Sequence, residues 1–220
     1  MIRILLALAL SLVRASDIYY EGDGTAYTLG SISSGNCNFM HSGYPLAATN
    51  YVAINHPQWD EQLSCGRCIQ VSCADSRCKD QSHTEILQVL DRCPECKHGD
   101  LDMSPSIFKT LTGSDPSRYK IKWKFIECPI DDGIYWCLHK GSSQQWTSIQ
   151  PTGFSTGIKS ITINDQSTQM MFGAFYFITT VANLDLNKVK IRITDKNNYF
   201  MEDTVALRAG QCTPSTYVCD

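Results

Sequence analysis

The chain has 220 residues, 43% of them hydrophobic and 19% charged, with 19 Lys and Arg against 22 Asp and Glu and as many as 11 cysteines. A mildly acidic chain without basic runs has no electrostatic reason to seek nucleic acid or anionic lipid. That cysteine count suits an oxidising compartment better than the cytosol.

Residues 1–15 read as a signal peptide: Arg3 supplies the positive start, Ile4 to Val13 the apolar run, and Val13-Arg14-Ala15 the cleavage site. The apolar run is too short to span a bilayer, and no later stretch approaches about 18 apolar residues. The expected product is therefore soluble and secreted, to an extracellular matrix or cell wall, and monomeric, with no membrane partner. Its 17 Lys and Arg against 22 Asp and Glu give a net charge of −5. The remaining chain suits two ordinary domains.

Eight of the eleven cysteines lie between Cys37 and Cys128, and "CPIDDG" then reads as a linker. The expected organisation is a disulfide-stapled domain over 16–128, a linker over 129–133 and a second domain over 134–220. The pairs Cys65/Cys68 and Cys93/Cys96 have zinc-site spacing, but behind a signal peptide disulfides are the better reading, so no metal or cofactor is expected.

The first domain reads as mostly β. "EILQVLD" is a strand candidate ending at Asp91, and "YVAINHPQWDEQ" fits helix or loop equally. In "HGDLDMSPSIF" Ser104 can cap a short helix, Pro105 suits its first turn and Gly113 can close it. "KIKWKFIEC" alternates Ile121, Trp123 and Phe125 with lysines, the period of a half-buried strand with Trp123 in the core. The second domain reads as all β: "GIKSITIND", "MMFGAFYFITT" and "KVKIRITDKNNYF" are strand candidates separated by turn signals, which suits a small sandwich.

Taken in order, "GDGTAYT", "SCGRCIQVSC", "VLDRCPECKHGDLDMSPSIF" and "YWCLHKGSSQQWTSIQ" resemble the expansin family over essentially the whole secreted chain. The family occurs in microbes and slime moulds as well as plants. The resemblance implies an all-β protein, a six-stranded double-psi β-barrel followed by an immunoglobulin-like β-sandwich that binds cellulose. It also implies loosening of contacts between cellulose and associated wall polysaccharides without hydrolysis. Carried over residue by residue, Thr25, Tyr27, Asp91 and Asp102 fall on the barrel groove. Trp146 and Tyr176 fall on the cellulose-binding face, and Trp136 is either a third ring or a core residue. Gln145 and Cys93 stand where some relatives have aromatic residues. The implied disulfides are Cys37–Cys65, Cys68–Cys128 and Cys73–Cys78. A Cys93–Cys96 bridge and a pair drawn from Cys137, Cys212 and Cys219 remain possible.

The expansin barrel is similar to that of inverting endoglucanases, which need a carboxylic acid and a distant carboxylate base. Asp102 matches the acid, but "TAYTL" places Leu29 where the base belongs, so no enzyme activity is expected. Asp23 and Asp100 are the nearby acids able to substitute. On local sequence alone Asp102 is equally readable as an acid favouring the N-terminus of the following helix. The rival functions are an inverting endo-β-1,4-glucanase and a passive wall-binding lectin.

Overall fold

The computed structural model describes residues 18–179 and 181–216; the expected signal peptide and Cys219 lie outside the described residues. The first half of the chain forms β1 (Tyr20–Ala26), β2 (Tyr51–Asn55), β3 (Cys68–Cys73), β4 (Thr84–Cys93), β5 (Leu101–Met103), α1 (Pro105–Thr112) and β6 (Tyr119–Ile126). The six strands close into a barrel in the order β1-β5-β2-β4-β3-β6, with β1–β5 and β2–β4 parallel and the other pairs antiparallel.

"YVAIN", equally readable as helix or loop, is strand β2. It is buried at every position because it is covered on both faces and paired on both edges, the environment in which a strand loses its alternation. Two 3-10 turns follow it, His56–Gln58 and Asp60–Gln62. Helix α1 starts after Ser104 and ends at Gly113, whose left-handed backbone donates to Lys109 O. The Ser104 hydroxyl makes no cap bond and instead lies 3.4 Å from the Ser106 hydroxyl.

The second half forms β7 (Tyr135–Leu138), β8 (Thr147–Thr152), β9 (Ile158–Ile163), β10 (Gln166–Ser167), β11 (Gln169–Met170), β12 (Phe177–Thr179), β13 (Val189–Asp195), β14 (Phe200–Val205) and β15 (Cys212–Pro214). They make a sheet β10-β9-β13-β14 and a sheet β11-β12-β8-β7-β15. "MMFGAFYFITT" is thus not one strand: a turn at Gly173 breaks it, closed by the Met171 N–H donating to Tyr176 O. Five disulfides are present among the described residues, Cys37–Cys65, Cys68–Cys128, Cys73–Cys78, Cys93–Cys96 and Cys137–Cys212.

Barrel and sandwich share a buried polar seam. Gln150, wholly buried on β8, accepts from Met40 N–H at 2.8 Å and donates to the carbonyls of Cys37, Asn38 and Phe175. Phe175 N–H donates to Cys37 O, and the Phe39 and Phe175 rings lie 5.8 Å apart. Beside them Gly43 and Gly153 meet back to back, both at positive φ; a Cβ on Gly43 would come within 2.6 Å of the Gly153 Cα. A side chain on Gly43 would press on Gly153 across the seam, and one on Gly153 would run into the backbone of Gly133 and Ile134.

Candidate functional site

The barrel register assembles the site. Thr25 on β1 lies opposite Asp102 on β5, Asp102 opposite Ala53 on β2, and Ala53 opposite Asp91 on β4. Laterally paired residues project from the same face of a sheet, so these four form one row. With about 4.8 Å per strand step, the two acid-bearing backbones stand roughly 10 Å apart. Their sequence neighbours Val52, Ile54, Leu90, Leu101 and Met103 are buried in the core, so the row faces away from it. Ala53 in the middle leaves a trough between the acids.

Thr25 Oγ1 donates to Asp102 Oδ1 at 2.9 Å. Partial burial raises the Asp102 carboxyl above the ordinary value, and the Thr25 bond, which favours the charged form, opposes that shift. Asp91 Oδ1 accepts from the Asn36 and Arg92 backbone N–H groups, both at 2.8 Å. Tyr27 packs edge-on to Tyr51. Its hydroxyl is pushed well above the usual phenol range, first by burial and then by the charge of Asp91. Two polar atoms beside Asp91 are buried without a partner, the Tyr27 hydroxyl and Arg92 Nε.

Leu29, which the family resemblance sets at the expected base position, is apolar and 8% exposed; its Cδ1 would lie 3.1 Å from a Cβ at Gly35. Neither neighbouring acid is free to substitute. Asp23 is ion-paired with Lys120 and Arg118, and Asp100 accepts from the backbone N–H groups of Asp23 and Lys97. Asp102 is engaged by Thr25 rather than by the end of α1.

The sandwich corrects two expectations. Trp136 is wholly buried, with Nε1 donating to Asp203 Oδ2 at 2.7 Å, and is a core residue rather than a surface ring. Tyr176 is 1% exposed and presents no ring to solvent, and burial pushes its hydroxyl up to about 12. Trp146 is half-buried, and the His139 ring meets both Trp146 and Tyr176 edge-on.

The sequence reading missed Phe172, fully exposed in the turn before β12. It borders a groove of about 730 Å³ between barrel and sandwich, whose walls include His56, Glu61, Arg92 and Met170. That wall contains three consecutive residues in the left-handed region, Asp60, Glu61 and Gln62, at φ 52°, 48° and 75°. Such backbone costs on the order of 1–3 kcal/mol per residue and persists only where its surroundings enforce it. Here Gln62 Nε2 donates to Met171 O at 2.7 Å and Lys196 pairs with Asp60. No sequence signal announces left-handed turns without glycine or asparagine.

No family model matches the chain. Expansin-YoaJ of Bacillus subtilis (strain 168) is 26% identical over 120 residues, 53% of this chain and 51% of that protein, so the match spans about half of the relative's length. The crystal structure of apo expansin from Clavibacter michiganensis superposes with a TM-score of 0.74 at 22% identity, covering 92% of this chain and 100% of that one. A mutant of the Clavibacter expansin in complex with cellohexaose gives 0.73 at 21% identity, covering 91% and 97%. The chain thus resembles the microbial expansins, in fold over nearly all of its length and in sequence over half of it.

Proposed function

We propose that this protein is secreted, binds cellulose and associated wall polysaccharides along the barrel row and the Trp146 region, and loosens contacts between glycan chains without hydrolysing them. The observation that carries the reading is the pairing of a Thr25–Asp102 couple, able to engage sugar hydroxyls, with a buried Leu29 where a base is required. Without a base, water is not activated, and a step worth about 10²–10⁴-fold in rate is missing. The buried, unpartnered Tyr27 hydroxyl and Arg92 Nε support a glycan ligand, since native polar atoms rarely remain unsatisfied without a functional reason. Phe172 and Trp146 supply flat apolar surface for sugar rings.

The test is extension of cellulose-rich wall strips under load, with wild type beside a correctly folded Asp102→Asn. Wild type should extend the strips and the variant should not. Equal extension by both would defeat the assignment of Asp102, and no extension by either would favour a passive wall lectin.

One observation favours a second reading. Asp91 and Asp102 share the row two strand steps apart, as a separated acid and base would require, and the backbone bonds to Asp91 fall on Oδ1. Steady release of reducing sugar, lost in both Asp91→Asn and Asp102→Asn, would establish an endoglucanase and displace the loosening function.

A further inference from the structure

Four of the five disulfides join residues 5, 28, 60 and 75 apart in sequence, whereas Cys93–Cys96 spans a separation of 3. Loop-closure entropy assigns the least stabilisation to the shortest ring, so global stability gives this bridge no evident purpose. Its location is distinctive. Cys93 is the last residue of β4, two after Asp91, and the chain from there to Leu101 is the direct link between the two acid-bearing strands.

That link is tied to the site walls. Gly99 N–H donates to Gln58 Oε1 at 3.0 Å, Asn55 Nδ2 donates to Asp100 O at 3.1 Å, and Trp123 Nε1 donates to Gly99 O at 2.8 Å. Access differs between the two sulfurs. Cys93 is 5% exposed, whereas Cys96 is half-exposed among the exposed residues Pro94, Glu95, Lys97 and His98. Both cysteines of Cys37–Cys65, Cys68–Cys128 and Cys73–Cys78 are buried. Cys137–Cys212 has a half-exposed Cys212, but it bridges directly paired residues of the β7–β15 ladder.

We propose that Cys93–Cys96 is a thiol–disulfide exchange site at the rim of the groove, and that opening it loosens the link between Asp91 and Asp102 and weakens the groove's hold on glycan. The reductant is a dithiol. One of its thiolates attacks Cys96 Sγ, the Cys93–Cys96 bond breaks, and Cys93 leaves as a thiolate that takes a proton from water. The second thiol of the reagent then attacks the reagent sulfur bound to Cys96 and releases the Cys96 thiolate, which is protonated in turn. The reagent departs as a cyclic disulfide, and two electrons have passed to the protein. Exchange rates follow access and thiolate stability; charges of both signs flank the pair, Arg92 and Lys97 against Asp91, Glu95 and Asp100, so access to Cys96 is what distinguishes the site.

The loss of glycan hold rests on the proposed function; the exchange site itself does not, and the experiment separates them. The whole protein is incubated with limiting dithiothreitol, quenched with N-ethylmaleimide and mapped by peptide mass spectrometry. Amide hydrogen exchange over 97–101 and cellohexaose affinity are read on oxidised wild type, the reduced protein and C93S/C96S. Cys93 and Cys96 should label at least about tenfold faster than any other paired cysteine, as their access dictates. Exchange at Gly99 and Asp100 should rise in the reduced protein and in the double variant, with the melting transition retained. Cellohexaose should bind both about threefold more weakly, under 1 kcal/mol on the scale where tenfold is about 1.4.

Earlier labelling of Cys137 and Cys212, or labelling of Cys93 and Cys96 only on global unfolding, would overturn the exchange site. Faster amide exchange with unchanged affinity would overturn the coupling to glycan. Oxidised wild type that binds no cellohexaose would instead count against the proposed function, and labelling and exchange would still decide the redox site.

Discussion

The barrel and the sandwich position their candidate glycan contacts in different ways. In the barrel, Thr25, Asp102 and Asp91 stand in a row that strand pairing dictates, Asp102 paired on both sides and Thr25 and Asp91 on one. In the sandwich, aromatic residues carry the proposed binding, and whether a ring reaches solvent depends on what covers the sheet. Trp146 is half-buried, while Trp136 and Tyr176 are enclosed. Hydrogen-bonded register thus gives the barrel a chemistry that resists small changes in packing. The sandwich sets the exposure of its rings by packing, with a hydrogen bond to Asp203 added at Trp136, so the same residue type serves as core at one position and surface at another.

Trp136→Ala probes this contrast most severely. Removing a buried tryptophan costs about 3–5 kcal/mol, and here it also takes one of the donors from the buried Asp203 carboxylate. The sandwich should lose its near-ultraviolet circular dichroism and cooperative melting, while the barrel disulfides stay intact. A folded variant that had lost only cellulose retention would put the ring on the surface and erase the distinction. Next in size, Gln150→Leu takes the Gln150 partner from Met40 N–H and from the carbonyls of Asn38 and Phe175, while Cys37 O keeps the Phe175 N–H. At about 1–3 kcal/mol per orphaned buried group, the single thermal transition should separate into two; one unchanged transition would mean that the seam contributes nothing to cooperativity.

Trp146→Ala should weaken cellulose binding about tenfold, or about 1.4 kcal/mol, with melting unchanged, whereas Tyr176→Phe should leave binding as it is. Pull-downs of both beside thermal melts decide this, and equal losses would restore Tyr176 to the surface.

The smallest effects concern protons in the barrel row. Burial holds Asp102 above the ordinary carboxylate value, so its folded pKa exceeds its unfolded one. Its favourable contribution to stability is therefore complete below the unfolded value and is lost as pH rises through the folded value. Asp102→Asn should consequently gain in Tm relative to wild type on going from about pH 3 to about pH 7. Thr25→Val removes the bond that favours the charged form, so the Asp102 midpoint in a carboxyl NMR titration should move up further. A downward movement would show that Thr25 does not donate to it.

The barrel was the more legible half because its site residues sit inside strong local signals: Asp102 is fixed by the helix start that follows, and Thr25 and Asp91 lie in strand-forming stretches among the cysteines. The sandwich was less legible because inside and outside are tertiary facts. Phe175, Tyr176 and Phe177 are consecutive, and all three are 4% exposed or less, so both faces of the stretch are covered where alternation alone would assign one to solvent. The same covering hid the junction groove, where Phe172 meets a left-handed run of ordinary residues that no propensity favours. β2 was ambiguous for a related reason: "YVAIN" is buried throughout and carries no period to read.

The Gln150 seam has a consequence for polymers longer than either surface. Three hydrogen bonds from one buried amide to the barrel, beside two glycines in contact, deny the two halves any swivel about each other. A glycan lying across both therefore meets a fixed straightedge. A coiled chain must surrender conformational freedom to lie along it, while a chain already straightened by its neighbours has little left to lose. Two forms of one polymer with identical chemistry, ordered and amorphous, would be told apart on entropy alone.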